Sequence, residues 1–447
     1  SNITSGKIFK TIIERERAFG YEGRDVEMIP DVPNEIKRRF YEAEKEYDFV
    51  IVEIGGTTGD IENLPFLYAA REVGRERPSI YVMVSFVPFL RNVGELKTKP
   101  TQHAVSQLRS TGINPDILIT RSEISLDAPR RETLARRCFM DNDAIFDDPD
   151  AESIYAVPAV LENQGLVEKI QTKFNLKNKK PDLKKWKQFI NRSKTGKQEI
   201  NIALVGKYVQ HGGSAHKDVY VSVLEALRHA AAYHNIKLNI TPIDSNDLDA
   251  KELKNGNFAG IVVPQGWGSR GTEGKIAAVK FAREHKIPYL GLCFGMQMAV
   301  IEFARDVCNL KNANSTEADP KTKYPVVHVM PEQIEYLKKH QYGGTIRLGA
   351  WPCKIKSGTQ LFTIYKTAEI SERHRHRYEV NNAFRETLEK KGLIISGTSP
   401  DGKLVEAIEL PKSIHPFFVG TQFHPEYKSR PLAPHPVFVA FLSACKI

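Results

Sequence analysis

Two kinds of hydrophobic pattern alternate along this chain. Near-continuous apolar runs, DFVIVEI (48–54), IYVMVSF (80–86) and DILIT (116–120), are separated by stretches whose apolar positions recur every three or four residues. A short run without polar alternation suits a parallel strand covered on both faces, and the longer period suits a helix lying against it. The pattern resumes with INIALVG (200–206), LNITPI (238–243), FAGIVVP (258–264) and IPYLGL (287–292), interleaved with helical patterns at 219–234 and 273–285. Strand and helix in turn predict an α/β fold of mainly parallel sheets flanked by helices. At 447 residues the chain exceeds what one core holds, so two such domains are expected.

The break falls where the pattern fades. Residues 173–197 are polar and basic, with only Leu183, Trp186, Phe189 and Ile190 at helical spacing, which predicts a short docked helix inside a linker. The expected domains are 1–165 and 199–447, joined by a basic linker over 166–198. That stretch also locates the charge, because ten lysines and arginines against the single acid Asp182 supply +9 of the chain's net +10. Neither domain is basic as a whole, so no nucleic-acid-binding domain is indicated; the linker reads as solvated, with a nucleic-acid or membrane-surface contact as the alternative. Apolar content of 41% and charged content of 26% suit a soluble globular protein. The longest apolar run falls well short of the roughly 18–20 residues that cross a bilayer, so no membrane role is expected. Cys138, Cys293, Cys308, Cys353 and Cys445 lack metal-site or disulfide spacing and no secretory leader opens the chain, so a reducing cytoplasmic compartment is expected.

Candidate chemistry begins with YLGLCFGMQ (289–297), where Cys293 stands between an apolar run and a helix-like segment with a glycine two residues to either side. A strand-turn-helix elbow would lift this thiol over the carboxyl edge of a sheet and aim a helix N-terminus at it, favouring thiolate. Taken alone, the pattern fits a structural cysteine equally well. A nucleophile also needs a base and a group that orients the base. FFVGTQFHPEY offers His424 at a strand end and Glu426 two residues on, across a stiffening proline. The glycine-rich VVPQGWGSRG (262–271) suits an oxyanion loop, with the N–H of Phe294 as a second donor; an ordinary strand-to-helix turn is the alternative. In the first half, VEIGGTTGDIEN (52–63) puts Glu53 at an expected strand end before two glycines and the acids Asp60 and Glu62, a set suited to Mg²⁺ and phosphate or to an exposed turn. GELKTKPTQH (94–103) places Lys97 and Lys99 ahead of a helix start near Thr101, a polyphosphate clamp or a solvated lysine pair.

PQGWG, GLCFGMQ and QFHPE together resemble the class I glutamine amidotransferase domain, in which a Cys-His-Glu triad releases ammonia from glutamine. NANSTE (312–317), GGTIRLGA (343–350), SERHRHRYEVNN (371–382), NITSGKIF (2–9) and DPDAESIYAVP (148–158) extend the resemblance to the CTP synthase family over essentially the whole chain. The resemblance implies a P-loop, dethiobiotin-synthetase-like synthetase domain followed by a flavodoxin-like amidotransferase domain. It implies catalysis by Cys293, by His424 as general base and acid, and by Glu426 as its orienter. Gly266, Phe294, Gly295, Met296, Gln297, Glu317 and Arg377 would line the glutamine pocket, an acid suiting the ammonium and an arginine the carboxylate. UTP or inhibitory CTP would contact Asp60, Ile61, Glu62, Lys97, Thr98, Lys99, Pro100, Thr101 and Gln102. ATP adenine would lie near Pro149, Asp150 and Ala151, with Mg²⁺ at Glu53. The family reaction phosphorylates the UTP 4-oxygen and displaces it with ammonia delivered through an internal channel. GTP would activate near residues 270–274, and the assembly would be a homotetramer.

Four departures qualify the resemblance. Gln265 stands where the family pattern P-G-G-x-G has its first glycine, so slow or differently gated hydrolysis is expected if that peptide needs φ > 0. Thr133 replaces a pyrimidine-site lysine, with Arg130 and Arg131 as candidate substitutes, and Asp31 replaces a histidine. A family member carries about a hundred further residues before NITSGKIF, and no G-x-x-x-x-G-K-[ST] occurs here. The expectation is that the sequence lacks that region or that only the glutaminase activity remains. A nonenzymatic assembly or nucleic-acid-binding protein is the alternative from another class.

Overall fold

The computed structural model describes residues 3–207, 219–248, 250–330, 333 and 346–446. Asn2 of NITSGKIF and the first three residues of GGTIRLGA lie outside them. The chain forms two compact units, residues 1–183 and 184–447. Among the described residues no helix is long and apolar enough to cross a membrane.

In the first unit, strands β1 (Val82–Phe86), β2 (Ile117–Ser122) and β3 (Ile145–Pro149) form a parallel sheet in that order. Met83, Leu118 and Ile145 pack with Val105, Leu108 and Leu134 from the flanking helices. Residues 48–54, expected as a buried strand, form none. A strand requires a hydrogen-bonded neighbour and, when this apolar, cover on both faces; instead Ile51 is 97% exposed and only Ile54 packs against the core. β1 likewise buries one face rather than two, since Val82, Val84 and Phe86 are exposed. Asp31 is buried and accepts hydrogen bonds from both terminal nitrogens of Arg24 (3.0 and 2.5 Å) and from the Glu27 N–H (2.9 Å).

The second unit is built on nine strands: β4 (Gln198–Gly206), β5 (Ile236–Asp244), β6 (Gly260–Val263), β7 (Tyr289–Leu292), β8 (Arg347–Ile355), β9 (Glu369–His376), β10 (Ile394–Thr398), β11 (Val405–Glu409) and β12 (Phe418–Thr421). Their order is β9-β8-β10-β11-β12-β7-β6-β4-β5. β12, β7, β6, β4 and β5 run parallel, and the four remaining strands extend the sheet antiparallel. Alternate residues of β4 divide between two cores: Ala203 and Val205 meet the helices Thr272–Glu284 and Phe294–Asp306, while Ile202 and Leu204 meet Val221–His234 and Pro436–Ala444. The two-sided burial explains the unbroken apolar runs. Helix Lys184–Lys194 buries Phe189, whose ring lies 6.0 Å from that of His229.

Candidate active site

β7 ends at Leu292, and helix Phe294–Asp306 begins one residue later. The residue between them, Cys293, has φ 53° and ψ −98°. A non-glycine residue there costs roughly 1–3 kcal/mol and persists only where its surroundings impose it. The two flanking glycines do not share that conformation; they allow close approach. A Cβ at Gly295 would lie 2.0 Å from the Val263 carbonyl oxygen, and one at Gly291 would lie 2.8 Å from the carbonyl carbon of Gly295. The Cys293 N–H donates to Thr421 O (2.6 Å), tying the elbow to β12.

β12 leads directly into the remaining polar groups. Gln422 donates through Nε2 to Cys293 Sγ (3.4 Å), and its Oε1 accepts from Gln297 Nε2 (3.1 Å). His424 Nδ1 lies 2.8 Å from Glu426 Oε1, with both side chains buried. A carboxylate accepts, so Nδ1 carries the proton and Nε2 is left as the base. Burial disfavours charge on His424, but Glu426 and the Cys293 sulfur outweigh it and hold the imidazole well above its ordinary pKa. Thiol, imidazole and carboxylate in this arrangement can add sulfur to a carbonyl carbon and pass the thiol proton to a leaving amine.

These groups open onto a cavity of about 220 Å³ whose walls include Gly266, Phe294, Gln297, Glu317 and Arg377. Glu317 Oε1 accepts the Gly268 N–H at 2.7 Å. Burial raises the Glu317 pKa, against the pull of that N–H, Lys207 and Arg377. The structure does not bring Gly295 and Met296 to the cavity wall: Gly295 backs onto Val263, and Met296 is fully buried beneath Gly420. Gln265 does not take a left-handed φ. Gly268 (φ 73°) and Gly271 (φ 66°) do, so the demand for glycine falls later in the loop than expected. Sequence reasoning missed Gln422, the first residue of QFHPE, and the buried lysines Lys207 and Lys275 beneath the loop.

In the first unit two expected nucleotide segments adjoin. The Thr58 hydroxyl donates to Ala104 O (3.3 Å), which sets the loop carrying Asp60, Ile61 and Glu62 against helix Lys99–Ser110. That helix starts at Lys99, earlier than expected. Gln102 Nε2 donates to the Thr98 hydroxyl (3.0 Å), and Thr101 is buried against Ser85 (3.0 Å). Lys97 is ion-paired with Glu95, which also pairs with Arg130 at 3.0 Å. Pro149 ends β3, Asp150 accepts from Arg121 (2.5 Å) and Ala151 is exposed. Glu53 lies in the exposed 48–54 stretch and not at a strand end. Among the described residues the one group of three metal-ligating side chains is His374, His376 and Glu406 in the second unit, and Glu53 is not part of it. In that group Arg347 Nη1 already sits 2.7 Å from Glu406 Oε1 and 3.4 Å from each histidine.

Residues 1–176 match a family model described as CTP synthase N-terminus, and residues 215–444 one described as glutamine amidotransferase class-I. The CTP synthase of Caldanaerobacter subterraneus subsp. tengcongensis is 51% identical over 453 residues, covering 99% of this chain and 82% of that protein. The CTP synthase of Bacillus subtilis is 46% identical over 453 residues, again covering 99% and 82%. Among solved structures, the glutaminase domain of Trypanosoma brucei CTPS with bound acivicin is 38% identical and covers 55% of this chain and 94% of its own, with a TM-score of 0.50.

Proposed function

Because this chain belongs to the CTP synthase family, we propose that its second unit hydrolyses glutamine at Cys293 and that the ammonia aminates UTP. Cys293 Sγ adds to the side-chain amide carbon of glutamine while His424 takes the thiol proton. His424 then protonates the departing ammonia, leaving a γ-glutamyl thioester that water cleaves with His424 again as base. Glu426 holds the imidazole in the required tautomer. Glu317 receives the substrate ammonium and Arg377 its carboxylate. The observation that carries this reading is Cys293, held at φ 53° on the elbow, in one cavity with the His424–Glu426 pair.

The remaining assignments rest on the family resemblance. UTP and inhibitory CTP take the adjoining segments at Asp60–Glu62 and Lys97–Gln102, and ATP the turn at Pro149, Asp150 and Ala151. GTP acts near residues 270–274, where Arg270 donates to Lys207 O at 3.1 Å. A homotetramer in the cytoplasm completes the reading. No step is assigned to Mg²⁺ at Glu53.

Cys293→Ala tests the central assignment. Glutamine-dependent ammonia release should disappear while CTP formation from UTP, ATP and added ammonium salt persists. Undiminished ammonia release in Cys293→Ala would overturn the reading.

A further inference from the structure

Lys207 and Lys275 have no solvent exposure at all. An ammonium taken out of water normally sits beside a carboxylate, yet among the described residues neither lysine has an ion-pair partner. Their donors go to backbone carbonyls of one loop. Lys275 Nζ donates to Pro264 O (2.7 Å) and Gln265 O (3.4 Å), and Lys207 Nζ donates to Trp267 O (3.0 Å) and Gly268 O (2.5 Å). Both heads also lie over the Phe294 ring, at 3.9 Å for Lys207 and 5.3 Å for Lys275.

Four carbonyls turned down toward the lysines have a consequence for the N–H groups. In a planar trans peptide the N–H points opposite to the preceding C=O, so the N–H groups that follow these carbonyls face away from the lysines. One of them shows where that direction leads: the Gly268 N–H, behind the Trp267 carbonyl, donates to Glu317 on the cavity wall at 2.7 Å. The Gly266 N–H stands in the same relation to the Gln265 carbonyl, and Gly266 lines the cavity that holds Cys293. The Tyr220 hydroxyl donates to that Gln265 carbonyl as well (3.4 Å). Space at Gly266 agrees, since a Cβ there would fall 3.1 Å from Lys207 Cδ and 3.4 Å from Lys275 Nζ. Glycine at 266 is what lets both lysines reach the loop.

We propose that Lys275, with Tyr220, is a positioning residue for the oxyanion hole, clamping the Gln265–Gly266 peptide so that the Gly266 N–H meets the oxygen of the tetrahedral adduct on Cys293. As sulfur adds to the amide carbon, the carbonyl electron pair moves onto that oxygen, and a donor already aimed there stabilises it without reorganisation. The clamp also accounts for Gln265. The peptide is held in its working orientation from below, so position 265 needs no left-handed φ and no glycine. The inference rests on glutamine hydrolysis at Cys293.

The test is Lys275→Met, which keeps the stem and removes the donors. Three quantities are read: glutamine hydrolysis, the rate at which iodoacetamide alkylates Cys293, and the affinity for the γ-aldehyde analogue of glutamine, whose thiol adduct carries the same oxyanion. The clamp predicts kcat lower by about 100-fold or more, KM within about twofold, analogue affinity reduced in parallel with kcat, and an alkylation rate reduced far less than kcat, by the loss of one charge that interacts with the Cys293 sulfur. Tyr220→Phe, which removes a single hydroxyl, should show the same pattern with a smaller loss and decides the matter if Lys275→Met does not fold. Unchanged kcat and analogue affinity would overturn the proposal, as would a loss shared equally by alkylation, which would mark the lysine as purely structural. Failure of the underlying reading is distinguishable, because Cys293→Ala would then remain an active glutaminase.

Discussion

Gly295→Ala adds one methyl group to the elbow, and the structure says where it must go. The new Cβ would lie 2.0 Å from Val263 O and 3.0 Å from Val263 C, both backbone atoms of β6 that no rotamer change can move aside. Carbon pairs are comfortable at about 3.5–4.0 Å and a carbon–oxygen contact only slightly closer, so helix and strand must separate by roughly 1–1.5 Å. The first turn of Phe294–Asp306 would carry Cys293 and Phe294 with it and stretch the Tyr289 hydroxyl bond to Gly295 O, now 2.9 Å. Overpacking of this kind costs about 1–3 kcal/mol, and a displacement of about 1 Å at reacting atoms costs on the order of 100-fold in rate. Glutaminase kinetics and thermal melting measure both. Gly6→Ala, where nothing lies within 4 Å, is the control and should leave both intact. Full activity and an unchanged melting curve in Gly295→Ala would refute the claim that close strand–helix approach holds the nucleophile.

Two further outcomes follow from buried titratable groups. In the second unit, burial lowers the pKa of His229 to about 4 and of His376 to about 3, and depresses His374 and His415 as well. The unfolded chain takes up these protons near pH 6.5 and the folded one only further down, so stability should fall as pH drops from about 6.5 toward 4. His424 and the buried carboxyls of Glu302, Glu317, Glu406 and Glu409, all shifted upward, oppose this. Chemical denaturation of the protein and of His229→Gln across pH 5 to 7.5 isolates the histidine share, and a stability difference between the two that does not change with pH would contradict the neutral burial of His229. In the first unit, hydrogen bonding from Arg24 lowers the pKa of Asp31. Asp31→His cannot accept both guanidinium N–H groups and the Glu27 N–H, so it should destabilise that unit by about 1–3 kcal/mol in urea unfolding; no change would mean the three bonds hold little.

Much of this architecture was legible because burial leaves a period in the sequence. β4, β6 and β7 are apolar runs covered on both faces, whereas the edge strand β5 buries only Ile236 and Ile243 fully, and the triad lies in motifs whose order along the chain matches strand ends. Residues 48–54 are equally apolar, yet no property of a run reveals whether a neighbouring strand will pair with it. Polarity misled at the lysines, which any composition rule sends to the surface. A signal existed nonetheless, since Thr272, Lys275, Ile276 and Val279 are all buried on one helical face, with Lys275 inside an otherwise mainly apolar stripe. The positive φ falls on Cys293 itself and on neither flanking glycine. Glycine serves there by being small, and only coordinates separate that use from conformational freedom.

The most direct measurement is rapid acid quench of the protein turning over glutamine, followed by mass spectrometry of its cysteine-containing peptides. A γ-glutamyl adduct on the Cys293 peptide, absent from those of Cys138, Cys308, Cys353 and Cys445, is the predicted result. An adduct on another cysteine, or turnover with no adduct under conditions that preserve thioesters, would contradict the account.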